Sequence, residues 1–234
     1  MLQMMKNKFL LLLFLLSACA SQTHNYIGEE YLNSKYILNP LGEEQEPDTD
    51  PLIRFDAFDC VTFVDTSLAD GKLKKLNKIR YKNGKVNFVY RNHFIETDWL
   101  KNNKDIIKNV SGLYGKTSLR HVVVDKKSWF KHVHNIDTDF EKQSVDIEYI
   151  PYENLSKIDI QSPFVVLFIH DGTGFYDKIG TDLAVVHMGF LLPGNILRHA
   201  SRDYGRVMDV DFETYVNKRK QNKHNLGIAL LKIK

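Results

Sequence analysis

The sequence predicts an α+β fold on a mainly antiparallel sheet, and three observations carry that reading. Apolar runs of strand length crowd the second half of the chain and close it with Leu226–Ile233. Two of these runs, Ala184–Leu192 and Ile196–Ala200, flank Pro193-Gly194 and read as a hairpin. Ahead of them, Val61–Ala69 places Val61, Val64, Leu68 and Ala69 at helical spacing, and Gly71 stops the helix. Strands that follow one important helix, rather than alternating with helices, argue for antiparallel pairing.

In chain order, Glu29–Leu38 is compatible with a helix that turns at Asn39-Pro40. The acidic stretch Gly42–Pro51, twice broken by proline, is a loop. Cys60 then falls at the start of the Val61–Ala69 helix, just after a loop. Ile79–Tyr90 is expected as a β-hairpin turning at Asn83-Gly84. Asp105–Tyr114 reads as a short helix, Leu119–Val124 and Ile147–Ile150 as strands. Phe164–Ile169 is the most apolar strand, and Asp171–Gly174 the loop after it. Asp211–Lys218 is expected as a short helix before the closing strand.

The first residues indicate the compartment. Lys6 and Lys8 precede the apolar run Phe9–Leu16, too short to span a membrane and of the length of a secretory signal. The run ends in Leu16-Ser17-Ala18-Cys19, which resembles the lipobox of bacterial lipoproteins. That resemblance implies cleavage after residue 18, acylation of Cys19 and attachment to a membrane through lipid. A periplasmic face follows, with the outer membrane favoured because Ala20 and Ser21 offer no aspartate for inner-membrane retention. The division expected is a signal peptide at 1–18, an anchor segment at 19–45 and one domain at 46–234. Removing the signal leaves 216 of 234 residues, enough for one core with an insertion. The net charge of +3 falls to +1 without Lys6 and Lys8, which excludes the concentrated basic face of a nucleic-acid binder.

With Cys19 lipidated, Cys60 has no partner for a disulfide. A helix N-terminus favours an anion and lowers a thiol's pKa, and its free N–H groups can serve an oxyanion. A thiol nucleophile also needs a histidine, and the histidine a polar group to orient it. His187 lies in an otherwise apolar strand, and His199 on the strand paired with it. Counting about the Pro193-Gly194 turn makes them cross-strand neighbours.

Phe55-Asp-Ala-Phe-Asp-Cys-Val-Thr-Phe-Val-Asp65, Arg91-Asn-His-Phe94 with Asp98-Trp99, Val186-His-Met-Gly-Phe190 and Arg198-His-Ala-Ser201 occur in that order. Together they resemble the N-acetylmuramoyl-L-alanine amidase-like family DUF1460, within the NlpC/P60 cysteine-peptidase superfamily. The resemblance runs from about Tyr36 to the C-terminus. It implies a papain-like NlpC/P60 core with its nucleophile at a helix N-terminus, Cys60 as nucleophile, His187 as base and His199 as orienting residue. It further implies hydrolysis of the amide between the muramoyl lactyl group and L-alanine, with peptidoglycan or muropeptides as substrate and no cofactor or metal. Asp65 stands where the family leads one to expect glutamate. The inserted strands and loops, roughly 72–157, would build a substrate groove lined by Arg91, Asn92, His93, Asp98 and Trp99.

Three other readings compete. His132-Val-His134 would share one face of a strand and, with His121 or Asp125, could hold zinc, although Lys126, Lys127 and Lys131 surround the pair. An endopeptidase within the stem peptide would keep the mechanism and move the bond. A wall-binding lipoprotein without catalysis would leave Cys60 dispensable.

Overall fold

A computed structural model describes residues 26–234. The segment expected as a signal peptide and Cys19 lie outside the described residues. The elements are β1 (Lys35–Tyr36), β2 (Ala57–Phe58), α1 (Cys60–Leu68), α2 (Leu73–Arg80), α3 (Leu100–Asn102), β3 (Ile107–Asn109), β4 (Ser118–Val124), α4 (Lys126–His134), β5 (Gln143–Pro151), β6 (Phe164–His170), α5 (Phe175–Ile179), β7 (Val185–Leu192), β8 (Ile196–Ser201), β9 (Arg206–Asp211), α6 (Phe212–Lys220) and β10 (Asn225–Ile233). The described strands form one sheet in the order β2-β1-β9-β8-β7-β6-β10-β5-β4, with β3 on β10. Its pairings are antiparallel except β1 with β2.

β6 shows why the centre of the sheet is apolar on every residue. Val165, Leu167 and Ile169 enter the core with Phe63 of α1, whereas Phe164, Val166 and Phe168 enter a second core with Phe212 and Val216 of α6. A strand covered on both faces has no polar side to show in its sequence. β7 divides the same way: Met188, Phe190 and Leu192 lie in the α1 core and Leu191 in the α6 core.

Helix α1 starts where it does because Asp59 and Thr62 cap it reciprocally. Asp59 Oδ1 accepts from the Thr62 N–H at 2.8 Å, and Thr62 Oγ1 accepts from the Asp59 N–H at 2.9 Å. Cys60 is therefore held as the first helical residue.

Four local expectations give way to tertiary pairing. In Glu29–Leu38 only a 3₁₀ turn, Glu29–Tyr31, is helical. Asn33 then takes φ 69°, and Lys35 pairs with Ala57 and Arg206. The Ile79–Tyr90 hairpin keeps its turn, with positive φ at Asn83 and Gly84, but its ladder shrinks to one Tyr81–Arg91 bridge. Ile79 instead lies in the last turn of α2, where it is buried with Leu76. Asp105–Tyr114 contributes strand β3, because the end of β10 offers a free edge to Ile107–Asn109. Finally, the two histidines of the zinc reading lie on helix α4, capped by Asp125 accepting from the Ser128 N–H at 2.9 Å. A one-residue gap on a helix turns the rings about 200° apart, so they share no face.

Candidate functional site

At the hairpin of β7 and β8, Phe190 pairs with Arg198 and Leu192 with Ile196 across the turn Pro193–Asn195. The recorded ladder stops at Phe190–Arg198, so His187 and His199 lie beyond it, on a diagonal rather than opposite one another. Their side chains take over the link: His187 Nε2 and His199 Nδ1 share a hydrogen bond of 2.8 Å. Gly189 permits this approach. A Cβ there would stand 2.8 Å from the Arg198 carbonyl oxygen and 2.9 Å from His199 Cβ. The Tyr215 ring of α6 closes the pair from one side, with centroids 6.1 Å from His187 and 5.1 Å from His199.

Cys60, His187 and His199 line one cavity of about 660 Å³, together with Tyr36, Asn39, Asp59, Tyr215, Arg219 and Asn225. The Cys60 thiol lies against the backbone N–H groups of Met188, Cys60 and Val61. It thus touches the strand residue next to His187 and the first N–H groups of α1. Since His187 Nε2 is engaged by His199, Nδ1 is the ring nitrogen left to act on a thiol.

The charge state of the resting site differs from the expectation for a helix N-terminus. Burial, reinforced by the Asp59 carboxylate, pushes the Cys60 thiol up to about 12 against the pull of the three N–H groups. Burial also pushes His187 well below the usual imidazole range, with His199, Arg219 and Arg202 adding to it. His199 falls to about 4, again through burial and Arg219, despite Asp203 and Asp209. Thiol and imidazoles are all neutral at rest. For Nδ1 of His187 to be basic, its proton must sit on Nε2 and be donated to His199 Nδ1. His199 then carries its own proton on Nε2, which is buried without a partner.

Of the five residues expected to line a groove, Arg91, Asn92 and Asp98 border one hollow with Lys101, Lys104 and Lys126, apart from the Cys60 cavity. Arg91, Asn92 and His93 border a smaller hollow that shares Asn39, Asp59 and Val61 with the Cys60 cavity. Arg91 is committed to two carboxylates, Glu43 at 2.6 Å and Asp48 at 2.7 Å. Asn92 donates to the Ile79 carbonyl at 2.7 Å, and His93 sits against the Phe88 carbonyl at 2.7 Å. Asp98 pairs with Lys126 at 2.9 Å. Trp99 is a correction: it is fully buried, and its indole N–H donates to Asp65 Oδ1 at 2.7 Å. Its role in this fold is to tie the turn Ile95–Trp99 to helix α1, not to line a groove.

Sequence reasoning did not select Tyr215, Arg219 or Asn225. Lys218-Arg219-Lys220 reads as the basic last turn of a helix, which hides an arginine that faces the cavity together with Arg202. The cap was readable, because Asp59-x-x-Thr62 has the spacing of a capping box. Among the described residues, no three histidine, cysteine or acidic side chains converge as a metal site. Nor is any described helix long and apolar enough to cross a membrane.

Solved structures share this arrangement of elements. A Legionella pneumophila protein of the DUF1460 family superposes with a TM-score of 0.80 at 26% identity, over 88% of this chain and 86% of its own. An N-acetylmuramoyl-L-alanine amidase from Bacteroides uniformis gives 0.70 at 21% identity, over 89% and 96%. A Bacteroides fragilis protein provisionally named a xylanase gives 0.71 at 21% identity, over 88% and 99%. At that identity the two Bacteroides likenesses establish a common fold. No curated protein matches the chain. The model of the AmiA-like family, described as N-acetylmuramoyl-L-alanine amidase-like, matches residues 26–227, and the chain belongs to that family.

Proposed function

We propose that this protein hydrolyses the amide between N-acetylmuramic acid and L-alanine in peptidoglycan or its fragments, with Cys60 as nucleophile. The observation that carries the reading is the shared cavity of Cys60 and the hydrogen-bonded pair His187–His199. The papain-like NlpC/P60 relationship belongs to the same proposal and is supported by a cysteine opening a helix beside a histidine-bearing antiparallel strand.

From a neutral resting pair, attack and proton transfer occur together. His187 Nδ1 takes the thiol proton as Cys60 Sγ bonds to the lactyl carbonyl carbon, and the carbonyl oxygen becomes an oxyanion. The N–H groups of Cys60, Val61 and Met188, already turned toward the sulfur, are the donors nearest that charge. His187 then gives its proton to the alanine nitrogen, the C–N bond breaks, and the stem peptide leaves with a free amine. Water adds to the thioester with His187 as base, and collapse releases the lactyl carboxylate and restores the thiol. His199 holds the His187 tautomer throughout.

The lipid anchor on Cys19 extends this reading: it would hold the domain at a membrane surface facing the wall. Incorporation of a palmitate analogue, lost in Cys19→Ala, tests it. The reaction is tested by mass spectrometry of muropeptides incubated with residues 20–234, beside a Cys60→Ala variant and an EDTA-treated sample. Free disaccharide and free stem peptide, lost with Cys60→Ala and kept with EDTA, support a cysteine amidase. Cleavage within the peptide would move the bond, and activity surviving Cys60→Ala would end the cysteine mechanism.

A further inference from the structure

Arg219 is an arginine that lines the cavity without a carboxylate partner. Arg91, Arg120 and Arg198 each sit on an aspartate or glutamate. Arg219, in contrast, meets only neutral groups among the described residues. Its Nη2 donates to Asn225 Oδ1 at 3.0 Å, and its guanidinium lies 5.4 Å from the Phe168 ring centroid. Its Nε is buried without an acceptor within hydrogen-bond distance, and the nearby Tyr152 hydroxyl, also unpaired, is neutral. The acidic side chains of the same cavity are engaged elsewhere: Asp59 with the Thr62 and Asn39 N–H groups at 2.8 and 3.0 Å, Asp203 with Lys218 at 2.9 Å, and Asp211 with the Thr214 N–H at 2.7 Å.

The arginine is also held in place. Asn225 Nδ2 donates to the Arg219 carbonyl at 2.9 Å while its oxygen accepts from the guanidinium. The residue is thereby fixed at both ends by a single amide. Phe168, under the guanidinium, is the register partner of His187. The uncompensated charge therefore stands next to the histidine pair, and it depresses both imidazoles. A fixed, partly desolvated guanidinium with free donors is a carboxylate receptor awaiting its anion.

We propose that Arg219, positioned by Asn225, binds a free carboxylate on the peptide side of the substrate and selects acidic muramoyl peptides over neutral ones. The inference rests on the amidase reading. It adds what that reading lacks, the substrate feature recognised beyond the scissile amide. Arg219 is assigned as a specificity residue, and Asn225 as the residue that positions it.

The test uses two synthetic N-acetylmuramoyl-L-alanyl dipeptides that differ only in whether the acidic residue after alanine keeps its free carboxylates or carries both as amides. The wild-type protein is expected to prefer the acid by about ten- to a hundred-fold in kcat/KM, mostly through KM, as a charge-assisted hydrogen bond would give. Arg219→Gln should abolish the preference, bringing kcat/KM for the acid and for the amide together. Arg219→Lys should restore part of it, because a point charge lacks the planar fork. Equal kcat/KM for the two compounds with wild type would overturn the assignment and leave the amidase intact. Cleavage of neither would overturn the amidase reading. Calorimetric binding of the two compounds to Cys60→Ala then decides the carboxylate independently: tighter binding of the acid, lost with Arg219→Gln, supports Arg219, and equal affinities overturn it.

Discussion

Asp65 gives the most direct physical prediction. Its carboxyl is buried beneath α1 and accepts from the Trp99 indole at 2.7 Å. Burial, with Asp59 adding to it, raises its pKa from 3.8 to about 7, although the Trp99 hydrogen bond and Arg80 pull the other way. A carboxyl raised on folding binds its proton more tightly in the native state. Its contribution to stability is complete below 3.8 and is lost as pH rises through about 7. At 1.36 kcal/mol per unit the loss amounts to at most roughly 4 kcal/mol. Asp65→Asn keeps an oxygen for Trp99 and removes the titration. Urea unfolding followed by tryptophan fluorescence should show wild type losing stability relative to Asp65→Asn between about pH 4 and 7. The difference between the two proteins isolates Asp65 from Glu96, whose pKa burial also raises. Parallel stability curves across that range would refute the reasoning.

Three further outcomes are expected. His199→Ala removes the partner of His187 Nε2 and should lower kcat on muropeptides by about ten- to a hundred-fold, the worth of a buried hydrogen bond; an unchanged kcat would deny His199 its orienting role. Iodoacetamide should label Cys60 slowly at pH 7 and about tenfold faster per pH unit as alkali releases the thiol held up to about 12. Rapid labelling at pH 7 would mean a preformed thiolate–imidazolium pair. Gly189→Ala brings a Cβ to 2.8 Å from the Arg198 carbonyl oxygen and should destabilise the hairpin by about 1–3 kcal/mol in denaturant melts, with activity reduced through His199; a neutral melt would show that the strands separate easily.

How much of this was legible depended on the scale of the forces involved. Helix α1 and the β7–β8 hairpin were readable because periodicity, cap and turn residues act within a few positions of one another. The conjunction of Cys60, His187 and His199 was readable from a lone thiol at a helix start and two histidines near one turn. What escaped were choices made by distant partners. Residues 107–109 became a strand because the edge of β10 was open, and Trp99 became a core residue because Asp65 needed a donor. The neutral state of the thiol was hidden for the same reason. A helix terminus is a local signal, whereas the burial that overrides it comes from the whole fold. Arg219 faces the cavity only because α6 packs against β8, β9 and β10, a placement its basic neighbours do not announce.

The sheet order sets the schedule on which the molecule can assemble. The last strand in the chain is not at an edge: β10 runs between β6 and β5 and also holds β3. The β4–β5 pair and the block from β6 to β9 are each local in sequence, yet the sheet joins them through residues 225–233. A chain emerging N-terminus first therefore carries two open edges until β10 is free to pair. The sheet is completed late, and a protein without residues 225–233 would lose the strand that joins its two blocks rather than a fringe.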